Sequence, residues 1–467
     1  SGDFDMMSNN TQVNDDFSTI YTNFLKLFYI VDFDEAAPDK LEESKYYFHM
    51  MAPSILSLVA LDQTLCYLTK RKLMETNTLC INACHLILFY IFRSIIISVE
   101  YGIWIFVYQA CAMPHLSLGS TEMFIVSFFI MDFLYYVGHR IEHGTRLFWA
   151  GHCLHHNADY YDIGVSLRLG FLHNIILIPL AVVPALCIHP AYLIFHQQVN
   201  LLYQFWIHTT CVDKLGILDY VINTPSNHRV HHDNSCRSDT KNFGGFLMVW
   251  DHLFGTYKRE EKQPNFRLQP SEIDIYPLSQ QINPLIQLGR TFRATPGIFG
   301  KVKHLFESPD FPNLEGKGAS VSISHDVPES YSALKNIWEH STIYLFVHLL
   351  LMSITTIEHL MNPLKTQCCW CCLVSIIWLV FNTEGLLRGL KYVYLVECTR
   401  CILMMLVVSL SSEFKHDDAL VLHQMALIIS IGGLIFAQIL QVPCFKDYNH
   451  ITGRSDVQAS APTPGSK

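Results

Sequence analysis

The sequence predicts an all-α polytopic membrane protein whose transmembrane helices carry a cytosol-facing, histidine-rich di-metal core and a small soluble cap. Three observations lead to this fold class. Half of the 467 residues are apolar, only 16% are charged, and the mean hydropathy is +0.24. Apolar segments long enough to cross a bilayer recur along the chain. Three short histidine clusters stand between residues 139 and 232.

Composition divides the chain into five expected segments. Residues 1–47 are acidic and mixed and are expected to form a cytosolic leader, and residues 48–256 to form the transmembrane and histidine-cluster core. Residues 257–337 have a soluble composition and are expected to form a cytosolic cap packed on that core. Residues 338–445 hold four apolar stretches, which predict C-terminal transmembrane helices. Residues 446–467 are polar and carry Ser and Pro, which is typical of a disordered tail.

The first apolar stretches of the core set its orientation. Residues 48–68 have membrane length, although Asp62 interrupts them, and Lys70-Arg71-Lys72 follows at once. The positive-inside rule places that end in the cytosol, and Lys258-Arg259 repeats the signal after the core. Residues 79–108 are apolar but carry His85, Arg93 and Glu100, which favours a buried or re-entrant helix pair over one plain span.

The next apolar stretches lead into and out of the clusters. Residues 121–137 form a predicted span that contains Asp132, about two helical turns before His139. An intramembrane carboxylate indicates a function, and Asp132 is expected to orient a ligating imidazole from behind; a salt bridge with Arg93 is the alternative. Residues 169–206 are apolar and contain three prolines. This run predicts a helical hairpin that leaves and returns on one side, because the flanking clusters must meet.

The clusters themselves predict metal binding. On a helix, positions i, i+3 and i+4 share one face, so each cluster can aim two or three imidazoles at one point. Neutral imidazole suits Zn, Cu, Fe and Ni. Eight nitrogens are too many for one four-coordinate zinc and suit two adjacent metals with open positions. The clusters are His139-Arg140-Ile141-Glu142-His143, His152-Cys153-Leu154-His155-His156 and His228-Arg229-Val230-His231-His232.

One more histidine stands where a further ligand could be supplied. His208 follows directly on the second arm of the predicted hairpin. A hydrogen-bonded core histidine is an equally weighted alternative for a lone residue of this kind. His173, His189 and His196 show no such spacing and are not included among the predicted ligands.

Charge and cysteine content exclude other classes of protein. The formal net charge is −9 and no basic stripe is present, which argues against a nucleic-acid partner. The 15 cysteines show no spacing typical of a secreted disulfide framework. Nothing in the sequence indicates an oligomeric state.

The clusters, their order and the apolar run between the second and third resemble the membrane fatty acid hydroxylase superfamily, which includes sterol desaturases and sphingolipid hydroxylases. The flanking residues look like its alkylglycerol monooxygenase branch, and the resemblance covers most of the chain from Phe48 onward. The segments that carry this finer resemblance are Phe148-Trp149-Ala150-Gly151-His152, residues 200–208, Asn223-Thr224-Pro225-Ser226, Trp250-Asp251, Phe254-Gly255-Thr256 and Ala294-Thr295-Pro296-Gly297.

The resemblance implies a di-iron monooxygenase of the endoplasmic reticulum membrane that uses O₂ and tetrahydrobiopterin. Such an enzyme would hydroxylate the ether-linked alkyl carbon of 1-O-alkylglycerols and release a fatty aldehyde and a glycerol derivative on the cytosolic side. The family's metal ligands fall on His139, His143, His152, His155, His156, His228, His231 and His232. One departure concerns the pterin. The family has an acidic residue directly after the second histidine, whereas this chain has Gly144 there, so Glu142 is the candidate for a pterin contact.

Two other readings remain open from the residues. A sterol or sphingolipid hydroxylase or desaturase would use the same metal core with a cytochrome-type electron donor. A membrane metal carrier, or a catalytically inactive receptor, belongs to another class. Carriers place their polar ligands at the bilayer midplane, whereas these clusters follow the ends of apolar spans.

Overall fold

The computed structural model describes residues 25, 52–111, 119–158, 160–234, 240–262, 264–266, 276–309, 366–387, 390 and 392–410. The contacts divide the chain into two units, residues 1–319 and 320–467. The described part is mostly helical, and its β structure is one isolated antiparallel bridge between Ile222 and Leu247. Most of the predicted leader, the end of the cap, two C-terminal apolar stretches (342–361 and 420–440) and the tail lie outside the described residues.

The helices of the first unit carry the histidine clusters and the segments around them. In chain order they are α1 (Ala52–Leu68), α2 (Thr76–Ala110), α3 (Ser120–Gly144), α4 (Arg146–His152), α5 (Leu177–Leu180), α6 (Val182–Ala185), α7 (Pro190–Trp206), α8 (Leu218–Val221), α9 (Pro225–His231), α10 (Val249–Leu253), α11 (Pro277–Ala294) and α12 (Ile298–Phe306).

Two of these helices are long and apolar enough to cross a membrane, namely Thr78–Ala110 within α2 and Thr121–Gly144 within α3; Ser54–Leu68 is a shorter apolar helix. The expected helix pair over residues 79–108 is wrong, because α2 is one continuous helix. The three polar residues that predicted a break each have a partner within the fold. Arg93 pairs with Glu100, and His85 Nε2 lies 2.6 Å from Gln280 Oε1. A single helix can therefore carry these groups without breaking.

The apolar run between the second and third clusters returns to its starting side, although its first arm is not a regular helix. Residues 177–185 form the short turns α5 and α6, which Pro179 and Pro184 interrupt, and Pro190 begins α7 at a favoured position. At the far end, Ala181, Ala185 and Ile188 pack against Trp104 of α2. α7 then runs back beside α3, so that both helices end at the histidine clusters.

α11 and α12 belong to the segment expected to be a cap. α11 packs against α2 and α4, and α12 packs against α4. Gln280 and Gln281 are the buried side chains that attach α11: Gln281 Nε2 donates to Leu169 O at 2.9 Å, and its Oε1 accepts from Phe171 N at 3.0 Å. The described part of this segment therefore contacts the core beside the second cluster.

The second unit contains two described helices, α13 (Thr366–Leu387) and α14 (Val393–Leu410), which pack against each other. They cover the second and third of the predicted C-terminal spans. Arg400 and Glu397 form a buried ion pair, and Asn382 Nδ2 donates to Glu397 Oε2 at 2.7 Å. Buried charges in apolar helices need such partners.

Candidate metal centre

Three local structures deliver the clusters. His139 and His143 lie one turn apart on the last turns of α3. α4 ends at His152, and His155 and His156 follow in consecutive turns, with His155 N bonded to His152 O and His156 N to Cys153 O. The expectation that this cluster shares one helical face is therefore wrong.

The third cluster lies on α9, and its start is specified locally. Thr224 caps the helix by accepting from Asn227 N, and Pro225 takes the first helical position. His228 and His231 lie on the helix, and His232 follows it directly.

A close approach of two glycines brings a further histidine to the second cluster. A Cβ on Gly170 would lie 2.0 Å from Gly151 O, and one on Gly151 would lie 2.7 Å from Leu172 Cβ. The 170–173 segment can therefore press against α4 only because both residues are glycine. As a result, His173 Nδ1 lies 3.1 Å from His152 Nδ1.

The structure gathers nine buried histidines into two adjacent groups. In each group the ligand nitrogens all lie within 4.8 Å of one another. The five-histidine group is His139, His143, His152, His156 and His231; the four-histidine group is His155, His208, His228 and His232. All eight histidines of the predicted ligand set and His208 are therefore brought together.

The spacing of the nitrogens fits a bound cation. Metal–imidazole bonds of about 2.1 Å put neighbouring ligand nitrogens about 3.0–3.4 Å apart in octahedral or tetrahedral geometry. In the five-histidine group, His152 Nε2 lies 3.2 Å from His139 Nε2 and 3.1 Å from His156 Nε2. In the four-histidine group, His228 Nε2 lies 3.0 Å from His208 Nε2 and 3.1 Å from His232 Nε2. These distances match the spacing expected between ligand nitrogens around a bound cation.

The two groups are interlaced through the sequence. Each i, i+4 pair of a cluster serves one group: His139 with His143, and His152 with His156, serve the five-histidine group, whereas His228 with His232 serves the other. The remaining histidine of each HxxHH cluster belongs to the other group: His155 to the four-histidine group and His231 to the five-histidine group. The rings of His156 and His232, from different groups, stack with centroids 4.3 Å apart. The two histidine groups are therefore neighbours built from shared backbone segments.

Backbone carbonyls determine which nitrogen faces the centre. The Nδ1 atoms of His139, His231 and His208 lie 2.8–2.9 Å from the carbonyl oxygens of Phe243, Lys241 and Gln204, respectively. A carbonyl only accepts, so Nδ1 carries the proton and the Nε2 lone pair points into the group. Converging bare lone pairs repel one another unless a cation lies between them. Both ring nitrogens of His143 are also buried without a hydrogen bond.

Burial keeps the imidazoles neutral. It lowers the pKa of His152 to about 3 and that of His208 to about 4, and the pKa values of His228, His231 and His232 lie well below the usual 6.5. Burial is the main cause in each case, because water no longer solvates the imidazolium form. Neutral imidazole is the form that binds a metal.

Glu142 and His173 lie behind the five-histidine group. Glu142 is fully buried, its Oε2 lies 3.2 Å from His152 Nδ1 and 3.8 Å from His173 Nδ1, and its Oε1 accepts from Asn174 N at 2.7 Å. A carboxylate behind a ligating histidine orients the ring and raises its basicity. The contacts of Glu142 are thus with two imidazoles and one backbone amide, and its side chain has no exposed surface for a pterin. Sequence reasoning missed His173, which has no spacing relation to any cluster.

Asp132 contributes to the centre only through a loop. It accepts hydrogen bonds from Asn200 Nδ2, Phe246 N, Leu247 N and Trp250 Nε1, at 2.9–3.2 Å. Among the described residues, no histidine and no Arg93 nitrogen bonds to it.

Asp251 holds the other end of the same loop, because it accepts from Phe243 N at 2.8 Å and Gly244 N at 2.7 Å. The carbonyl of Phe243 in turn accepts from His139, whose side chain belongs to the five-histidine group. The two carboxylates therefore fix the loop that orients this ligand.

An apolar cleft leads to the four-histidine group. His155 and His208 form part of its wall. Most of the remaining wall is aliphatic or aromatic, with Ile55, Leu86, Leu201 and Phe205 among its residues. The lining of the cleft is therefore chemically suited to an alkyl chain.

Comparison with known proteins first defines the class of this fold and site. The family described as "Fatty acid hydroxylase" matches residues 124–256, which hold all three clusters and His208. With two helices of membrane length, this match indicates a metal-binding membrane enzyme of lipid metabolism.

Relatives define the family more narrowly. The chain is 32% identical to alkylglycerol monooxygenase of Homo sapiens over 321 residues, covering 67% of this chain and 69% of the relative. It is 30% identical to that of Danio rerio over 318 residues, with the same coverage, and 34% identical to that of Xenopus tropicalis over 212 residues, 45% of this chain and 48% of the relative. The chain belongs to the alkylglycerol monooxygenase family. No solved structure matches it.

Proposed function

We propose that the chain is a di-iron monooxygenase that uses O₂ and tetrahydrobiopterin to cleave the ether bond of 1-O-alkylglycerols. The observation that carries this proposal is the pair of histidine groups, five and four buried imidazoles, at the end of an apolar cleft. All nine histidines, His208 included, are the proposed ligands. Relatives named alkylglycerol monooxygenase over two thirds of the chain support the substrate class.

The proposed reaction balances as a monooxygenation. One oxygen atom of O₂ is inserted into a C–H bond of the ether-linked carbon, which becomes hydroxylated. Two electrons and two protons reduce the other oxygen atom to water. The hemiacetal then breaks its C–O bond to the glycerol, which yields a fatty aldehyde and a glycerol derivative. Protein side chains cannot break an unactivated C–H bond, so the two iron ions would supply O₂ activation.

The chain's own residues have three roles in this proposal. The carbonyls of Phe243, Lys241 and Gln204 orient imidazoles through their Nδ1 protons. The cleft binds the alkyl chain and excludes water from the end that reaches His155 and His208. Because these two histidines belong to the four-histidine group, substrate would approach the centre from that side.

Tetrahydrobiopterin is proposed as the electron donor because the chain belongs to the alkylglycerol monooxygenase family. Its binding residues are not assigned. Glu142, the candidate from the sequence, is buried behind His152 and is better suited to orient that imidazole. We therefore assign Glu142 to the metal centre and not to the pterin.

The proposed location is the endoplasmic reticulum membrane with the centre facing the cytosol. Arg71 contacts Thr210 O and Asp213, and Lys72 Nζ lies 3.0 Å from the centroid of the Tyr160 ring, so this basic segment lies at the same end as the histidines. Positive charge favours the cytosolic side. A glycosylation sequon inserted beside the exposed Lys214 should stay unmodified in microsomes; its glycosylation would reverse the orientation.

The second candidate is a sterol or sphingolipid hydroxylase with the same centre and a cytochrome-type donor. The test is product analysis of the purified full chain in detergent with 1-O-hexadecylglycerol, and with matched 1-acylglycerol and sterol controls. We expect fatty aldehyde from the ether alone, only with reduced pterin, and none from the His232→Ala variant. Turnover on a cytochrome and its reductase without pterin, or oxidation of sterol with the ether untouched, would favour the second candidate.

A further inference from the structure

α12 has its polar and apolar faces reversed relative to a helix on the surface of a soluble protein. On a helix, Ile298, Val302 and Phe306 stand four residues apart and share one face, which Phe299 widens. All four are exposed, Ile298 by 77% and Phe299 by 81%, and no residue of α12 is buried. Four large apolar side chains on a nine-residue helix thus point away from the protein.

The opposite side of α12 holds it to the protein through polar contacts. His304 Nδ1 lies 2.7 Å from an Arg146 guanidinium nitrogen, and its Nε2 lies 2.9 Å from Thr291 Oγ1. Glu307, at the end of the helix, pairs with the same guanidinium at 3.1 Å, and its carbonyl accepts from Arg146 N at 2.9 Å. In water such an apolar face would be expected to turn inward, so this arrangement is stable where an apolar environment covers the exposed face.

The neighbouring helix α11 shows part of the same reversal. Its amide side chains Gln280 and Gln281 are buried and bonded to the core, whereas Ile282 and Ile286 are exposed. α11 packs against α12, and Lys301 Nζ of α12 lies 5.5 Å from the Phe292 ring centroid of α11. The exposed apolar residues of these two packed helices are here called the α11–α12 surface: Ile282, Ile286, Ile298, Phe299, Val302 and Phe306.

Depth and charge identify what this surface faces. Arg146, which anchors α12, lies two residues after the end of α3, a helix of membrane length that ends at Gly144. The surface is therefore level with the end of a span, where a bilayer has its headgroups. Residues 276–309 contain four Lys or Arg (290, 293, 301 and 303) against one acid (Glu307), in a chain whose net charge is −9. Apolar side chains flanked by basic ones are typical of interfacial helices.

We propose that the α11–α12 surface lies on the bilayer, with Ile298, Phe299, Val302 and Phe306 in the acyl boundary and the flanking basic residues at anionic headgroups. α12 packs on α4, the helix that ends at His152. The surface thus holds the bilayer against the segment that carries the second histidine cluster. This inference concerns the membrane and stands whether or not the proposed reaction is correct.

The test is photo-crosslinking of the full chain in lipid vesicles. A diazirine amino acid replaces Phe299 in one sample and, as a matched control, the exposed polar Gln287 of α11 in another. Because both positions are exposed, neither change should disturb folding. After illumination in vesicles of neutral phosphatidylcholine, mass spectrometry should find lipid adducts several-fold more often at position 299 than at 287. Adding phosphatidylserine should increase the yield at 299, and high salt should reverse the increase.

Three outcomes would overturn the proposal. Equal adduct yields at 299 and 287 would mean that the apolar face does not contact lipid. Peptide adducts at 299, from this chain or a second copy, would mean that protein covers the face. A yield at 299 that does not respond to phosphatidylserine would remove the assigned role of the basic residues.

Discussion

Removing His208 should strip one metal and leave the other. His208 supplies one of the four nitrogens in the four-histidine group and none in the five-histidine group. His208→Ala leaves three imidazoles in the four-histidine group and all five in the five-histidine group. Metal should therefore be lost from the four-histidine group only. Contacts behind a ligand are worth about 10–100-fold in metal affinity. Loss of the ligand itself should cost at least ~100-fold, which is about 2.7 kcal/mol.

The assay is metal content after dialysis against a chelator strong enough to compete for the weakened site. The wild type should retain two ions per chain and His208→Ala about one, with ether cleavage lost. His196→Ala is the matched control. His196 is also a buried histidine, it lies on the helix that precedes His208, and its Nε2 bonds to Phe124 O instead of another histidine. Both variants lose a buried, hydrogen-bonded ring, so their losses of stability are comparable.

The reasoning would be refuted if His208→Ala kept both ions with unchanged resistance to the chelator. His208 would then be a core histidine held by Gln204 O. Equal metal loss in His196→Ala would assign the effect to a damaged fold instead of a missing ligand.

Three further predictions concern the carboxylate, the cleft and acid stability. Glu142→Gln removes the carboxylate charge 3.2 Å from His152 Nδ1 and should lower metal affinity about 10–100-fold, with the KM for pterin unchanged. A raised KM for pterin with normal metal content would show that Glu142 acts in pterin binding instead. Leu86→Trp should narrow the cleft and raise KM for long-chain ethers several-fold more than KM for short-chain ethers. Val183→Trp, at a 68% exposed position, should change neither KM value. In the metal-free protein, the melting temperature should fall as the pH is lowered. Burial lowers the pKa of His208 to about 4, so below about pH 6.5 the unfolded chain binds a proton that the folded chain does not. Each such histidine contributes a slope of about 1.4 kcal/mol per pH unit, and a flat profile between pH 6.5 and 4.5 would contradict the burial.

The sequence was most informative where ligands repeat at helical spacing. The pairs His139 with His143 and His228 with His232 converge because i and i+4 share a face, and this needs only local geometry. The division into five and four could not be foreseen, because it depends on α4 ending at His152. The turns that follow direct His155 away from His152 and His156.

Residues whose roles arise from distant contacts escaped prediction. His173 reaches His152 only because Gly151 and Gly170 allow two backbones to touch, and neither glycine signals this locally. The polar residues of α2 predicted a break, since a partner such as Gln280 lies 195 residues away from His85. Asp132 was expected at a histidine, but the backbone and side-chain donors of residues 246–250 take its lone pairs.

The count of iron ions per chain tests the central claim most directly. The full chain, expressed with ample iron and purified in detergent, should contain two ions per polypeptide by elemental analysis. Mössbauer spectra should show two iron environments, because one group has five imidazoles and the other four. One ion or none per correctly folded chain would contradict a two-metal centre.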